Sequence, residues 1–176
     1  MESFTPDVLI SEDEIALRIE ALGAAITDDF LGEELIVVCV LKGAFMFCSD
    51  LIKKINLPVK LEFVALSSYE GGTSSTGSVK LEMDISGSIA DKNVLIVEDI
   101  VDTGLTMKVL TDMLKLKNPK TLKLASLLFK PSRNEYPAQI DYLGFEIEDK
   151  FVIGFGLDYA QRYRELPYIG ILNAGN

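Results

Sequence analysis

Leu35-Ile-Val-Val-Cys-Val-Leu41 runs seven positions without a polar side chain, and four of those residues branch at Cβ. A strand with one wet face alternates polar and apolar residues. An unbroken run of this kind has both faces buried, as in a parallel sheet covered by helices. Asn93-Val-Leu-Ile-Val97 is a second such run, and residues 60–66, 79–85 and 121–129 read as further strands. Helical segments fall between them. Ser11 and Glu14 form a capping box ahead of Ile15, Ile19, Leu22 and Ile26 at helical spacing. Residues 44–55 read as a second helix and 104–116 as a third, which Asn118-Pro119 stops. The alternation implies right-handed crossovers and an α/β fold, a mainly parallel central sheet flanked by helices. After Lys130 the strands shorten and aromatic residues become frequent. The expectation is one domain over 1–176, with a core of about 1–129 and a small hood of about 130–176.

Composition excludes several chemistries. The chain has no histidine, so no imidazole serves as base, metal ligand or triad member. Cys39 and Cys48 lack CxxC spacing and sit among apolar residues, which argues against zinc and thiol redox sites. With 17 basic and 27 acidic residues, net charge −10 and a pI near 4.5, the chain repels nucleic acid and anionic membrane at long range. No apolar run reaches the ~18–20 residues of a membrane span, and the acidic N-terminal segment is unlike a secretory signal. The expected location is cytoplasmic. An anionic ligand must then be held by local dipoles, a few placed cations or a metal.

One segment gathers such parts: Glu98-Asp99-Ile100-Val101-Asp102-Thr103-Gly104-Leu105-Thr106. An apolar strand is expected to stop at two carboxylates, followed by a third acid and a turn that opens a helix. Amides at a helix start carry partial positive charge and suit a phosphate. Gly104 is expected to let the backbone approach it closely, with Thr103 and Thr106 adding hydroxyls. The carboxylates can accept from ribose hydroxyls or face magnesium. Taken alone, Asp102 reads first as a helix cap; taken together, the set describes a sugar-phosphate pocket. The Walker A pattern is missing, and Gly154-Phe-Gly156 fails the dinucleotide pattern at Tyr159.

This segment resembles the phosphoribosyl pyrophosphate signature of the type I phosphoribosyltransferases, and other segments resemble their hypoxanthine-guanine branch. Leu41-Lys42-Gly43-Ala44 is similar to that family's pyrophosphate loop, in which the resemblance places a cis Lys42–Gly43 peptide. Ala44 stands where many relatives carry a second glycine. Ser68-Tyr69 is similar to the start of its mobile lid. Lys130, Asp149-Lys150-Phe151-Val152, Asp158-Tyr159 and Arg164 match its base-binding hood in order and spacing.

The resemblance implies transfer of a 5-phosphoribosyl group from phosphoribosyl pyrophosphate to N9 of hypoxanthine or guanine, giving IMP or GMP and pyrophosphate. It makes Asp102 the general acid/base at purine N7 and puts 5-phosphate and ribose on Glu98, Asp99, Asp102, Thr103, Gly104, Leu105 and Thr106. Lys42, Gly43 and Arg164 would grip pyrophosphate, and Lys130, Phe151, Val152 and Asp158 would hold the purine. Mg2+ would sit on Glu98, Asp99 and Asp158, and the assembly would be a homodimer or homotetramer. The residues themselves leave plainer readings open. Phe151 and Val152 suit an apolar core, Lys130 a solvated strand end, and Arg164 a surface pair with Asp158 or Glu165. Residues 67–77 read as a loop too flexible for strand or helix, either a lid or an ordinary hairpin loop. A nucleotide-sensing regulator that binds RNA or DNA, or a transferase acting on orotate or uracil, would share the phosphate motif. The former lacks a basic face here, and Lys130 with Phe151-Val152 weighs against the latter.

Overall fold

The computed structural model describes residues 6–69 and 78–172. In chain order the elements are β1 (Asp7–Ile10), α1 (Glu12–Asp29), β2 (Leu35–Leu41), α2 (Phe45–Ile52), β3 (Val59–Tyr69), β4 (Ser78–Met83) and β5 (Asn93–Val101). They continue with α3 (Leu105–Lys115), β6 (Thr121–Phe129), a 3-10 turn (Pro131–Arg133), β7 (Tyr142–Glu146), β8 (Val152–Ile153) and β9 (Ile169–Ile171). Six strands form the central sheet in the order β4-β3-β2-β5-β6-β7, all neighbours parallel except β3 with β4. The strands that hold the two apolar runs, β2 and β5, lie side by side in the middle. Successive side chains of a strand point to opposite faces, and both faces are covered. Leu35, Val37 and Cys39 join the cluster under α1 and α2, while Ile36, Val38 and Val40 join the cluster under α3. α1 begins as its capping box predicts: Ser11 N–H donates to Glu14 Oε2 at 2.9 Å, and Glu14 N–H donates to Ser11 Oγ at 3.3 Å.

A smaller antiparallel sheet, β1-β9-β8, forms the hood. The boundary drawn near residue 129 is crossed in both directions: β1 belongs to the hood, and β7 to the central sheet beside β6. Gly144 permits the second crossing, because a Cβ there would run into the Leu127 carbonyl. Arg18 of α1 covers this edge by donating to the Leu143 and Gly144 carbonyls at 2.5–3.1 Å. Residues 67–69, expected to be loop, are instead strand, since Ser67, Ser68 and Tyr69 pair with Lys80, Val79 and Ser78 of β4. Among the described residues, no helix is long and apolar enough to cross a membrane.

Candidate active site

Because β2, β5 and β6 are parallel, their carboxyl ends open at one edge of the sheet, where α/β proteins gather ligands. The Lys130 N–H donates to the Val101 carbonyl at 3.0 Å and ties the ends of β6 and β5 together. β5 does not stop at its acids. It continues to Val101, because β6 extends the ladder with Glu98 opposite Ser126 and Ile100 opposite Leu128. The strand's alternation turns Glu98 and Asp99 toward different cavities, although their carboxyl groups stay in hydrogen-bonding contact. Asp99 lines a cavity of about 340 Å³ with Lys42, Gly43, Ile100, Asp102, Lys130, Phe151, Val152, Leu157, Asp158 and Arg164. Glu98 lines an adjoining one of about 70 Å³ with Asp102, Thr103, Gly104 and Thr106. Glu98 is only 6% exposed, and burial, reinforced by the charge of Asp99, holds its carboxyl well above the usual carboxylate range.

Close backbone approach builds the β2 side of the larger cavity. A Cβ on Gly43 would occupy the place of the Asp99 carboxylate, which accepts from the Ile100 N–H at 2.8 Å. A Cβ on Gly156, in the hood, would meet the Gly43 carbonyl. Asp99, Gly43 and Gly156 thus form three layers in contact. The cis peptide expected at Lys42–Gly43 lies one residue earlier, at Leu41–Lys42, where the chain leaves β2. Ala44 accommodates its methyl: the residue is fully buried and right-handed, at φ −77°.

At the β5 side, Gly104 and not Asp102 caps α3, with φ +86° and no side-chain cap. The capping reading of Asp102 is removed. Gly104 is required for a different reason from the one expected, since the space a Cβ would take holds the Tyr136 carbonyl. Tyr136 and Glu135 in turn donate their N–H groups to the Thr103 carbonyl at 2.9 and 3.0 Å. Leu105 opens α3, its N–H donating to Thr103 Oγ1 at 3.4 Å. The first amides of a helix lack intrahelical partners, and here they rise beside the smaller cavity. Asp102 borders both cavities.

The hood supplies the third wall. Phe151 is 53% exposed, which a core phenylalanine would not be; its ring is held edge-on by Tyr159 at 5.8 Å and 89°. Lys130, only 7% exposed, is no solvated strand end, and its ammonium lies 3.3 Å from Asp149. Val152 is buried in β8 and also borders the cavity. Arg164 does pair with Asp158, at 2.8 Å, and donates to the Gly156 carbonyl at 2.7 Å. The other Asp158 oxygen accepts from the Gln161 N–H at 2.8 Å.

Glu98, Asp99 and Asp158 are not brought together, and no group of three or more acids or cysteines fit to hold a metal occurs among the described residues. Two carboxylates, Asp99 and Asp158, do face the larger cavity. Magnesium is commonly held by one or two carboxylates, waters and substrate phosphates, so this donor set fits an ion that arrives with a phosphorylated ligand. Of the expected lid, Ser68 and Tyr69 lie in β3, and residues 70–77 lie outside the described residues. Sequence reasoning missed Arg133, whose Nε is 2.9 Å from Asp102 Oδ1. Its signal was Pro131, which favours the first turn of a helix and here opens the 3-10 turn that carries Arg133 back toward β5.

The model of the phosphoribosyl transferase domain matches residues 10–160. A hypoxanthine phosphoribosyltransferase of Haemophilus influenzae is 47% identical over 173 residues, covering 97% of each chain. A bifunctional TilS/HprT protein of Listeria innocua is 47% identical over 94% of this chain and only 26% of its own length. The crystal structure of a hypoxanthine-guanine phosphoribosyltransferase from Bacillus anthracis superposes with a TM-score of 0.91 at 44% identity, covering 95% of this chain and 98% of that one.

Proposed function

We propose, for a chain that belongs to the phosphoribosyltransferase family and to its hypoxanthine-guanine type, that the 340 Å³ cavity transfers 5-phosphoribosyl from phosphoribosyl pyrophosphate to N9 of hypoxanthine or guanine. The observation that carries this reading is the convergence of Lys42, Asp99, Asp102, Lys130, Phe151 and Arg164 on one space from separate segments of the chain. A carbon that becomes cationic needs positioning, neutralisation of its leaving group and shelter from water. The start of α3 and the hydroxyls of Thr103 and Thr106 receive the 5-phosphate, and Glu98 and Asp99 accept from the ribose hydroxyls. Lys42, the Gly43 amide and the outer face of Arg164 meet the pyrophosphate. Magnesium held by Asp99 and Asp158 would neutralise charge on the leaving group.

Phe151 stacks on the purine. Lys130 donates to its 6-oxo oxygen, and adenine is refused because its amino group presents a donor there. The Val152 backbone meets the purine's outer edge, with Asp158 nearby. Asp102 holds the proton exchanged at N7. The pairing of Arg164 with Asp158 keeps the guanidinium at the cavity wall before any anion binds. IMP or GMP with pyrophosphate are the products, and a homodimer or homotetramer in the cytoplasm is the expected form.

Pyrophosphate release is measured with hypoxanthine, guanine, xanthine and adenine at saturating magnesium. Turnover is expected with the first two and absent with adenine. D102N should lower turnover about 10²–10⁴-fold, the usual share of general acid/base catalysis. Full turnover in D102N removes the base role, and no release with any oxopurine overturns the reading.

A further inference from the structure

Arg133 does not border the larger cavity, yet it touches a residue that does. Its Nε lies 2.9 Å from Asp102 Oδ1 and its Nη1 lies 3.6 Å from Asp149 Oδ2, while Asp149 Oδ1 is 3.3 Å from Lys130 Nζ. The four side chains form a row of alternating charge, Lys130–Asp149–Arg133–Asp102. Its two ends face the cavity and its two middle members do not. Asp102 Oδ1 is shut off from solvent and accepts no well-aligned hydrogen bond, so Arg133 acts on it as a nearby charge. A carboxylate turns easily about its last torsion, and a cation beside one oxygen selects the rotation that leaves the other toward the cavity.

We propose that Arg133 is a positioning residue for the transfer reaction. It fixes the Asp102 carboxylate and, through Asp149, couples it to the Lys130 ammonium, so that groups meeting two different edges of one purine are set by a single framework. The inference rests on the reading of Asp102 and Lys130 given above. Small displacements of catalytic groups cost up to about 10²-fold, so R133M should lower kcat about 10- to 100-fold while KM for phosphoribosyl pyrophosphate stays within about twofold. R133K keeps the charge without the planar fork and should recover part of the loss. Arg133 is nearly half exposed, and R133M is expected to stay folded, checked by circular dichroism.

The deciding measurement is a double-mutant cycle with D102N. If Arg133 works through Asp102, adding R133M to D102N changes kcat by less than about twofold. Losses that multiply overturn the proposal and leave the base assignment standing, as does an unchanged kcat in R133M alone. Full turnover in D102N instead overturns the base assignment and the positioning role with it.

Discussion

The contact between the hood and the loop after β2 can be weighed by comparing two glycines. Gly156 has φ +100° and Gly32 has φ +81°; each lies in the region that costs an L-residue about 1–2 kcal/mol. They differ in their surroundings. A Cβ on Gly32, in the turn before β2, meets nothing within 4 Å, whereas one on Gly156 would enter the Gly43 carbonyl. G32A therefore measures backbone strain alone. G156A adds overpacking of about 1–3 kcal/mol, since backbone yields less readily than a side-chain tip. For a chain of this size each kcal/mol moves Tm by about 2–4 °C, so G32A should lower Tm by about 2–8 °C and G156A by about 4–20 °C. Thermal unfolding followed by far-ultraviolet circular dichroism, with pyrophosphate release alongside, gives both readings. G32A should keep wild-type turnover. G156A should raise KM for phosphoribosyl pyrophosphate, because the displaced Gly43 carries the loop proposed to meet it. A G156A protein no less stable than G32A, with unchanged KM, would refute the three-layer contact.

Glu98 keeps its proton to higher pH in the folded chain than in the unfolded one, where it titrates near 4.5. Its contribution to stability therefore falls as pH rises above about that value and levels off beyond the raised folded-state value. E98Q, fixed in the neutral form, should gain Tm over the parent at pH 7–8 and gain less at pH 5, while losing activity; an equal shift at both pH values would argue against a protonated Glu98. F151A should raise KM for hypoxanthine about 5- to 150-fold, since stacking contributes about 1–3 kcal/mol per base. An unchanged KM would return Phe151 to a surface role.

The central strands were legible because burial on both faces leaves long apolar runs, and α1 because its cap and its apolar spacing agree. β1 was not. Four residues, Asp7–Ile10, carry no periodicity of their own and become strand only by pairing with Ile169–Ile171 at the far end of the described chain. β7 hid for a similar reason: it pairs with β6, and its Gly144 fits there because the Leu127 carbonyl needs the space. Within the site, the turn from Glu98 to Thr106 was readable because its parts are contiguous. Whether Phe151 and Lys130 were core, surface or site was not, because exposure is set by partners distant in sequence. Composition suggested neither that Glu98 and Asp99 would line different cavities nor that Arg133 would reach Asp102; the continued β5–β6 ladder and the 3-10 turn decide both.

The hood joins β1 to β9, which a ribosome makes long after it, and the Leu172 N–H donates to the Phe151 carbonyl at 2.9 Å. A nascent chain that has already exposed the turn from Asp102 to Thr106 still lacks the strand that seats the aromatic wall. Until translation has passed Leu172, β1 lacks its partner strand and the segment carrying Phe151 has no backing. Catalytic competence should therefore appear only once β9 and Leu172 have been made, and abruptly then.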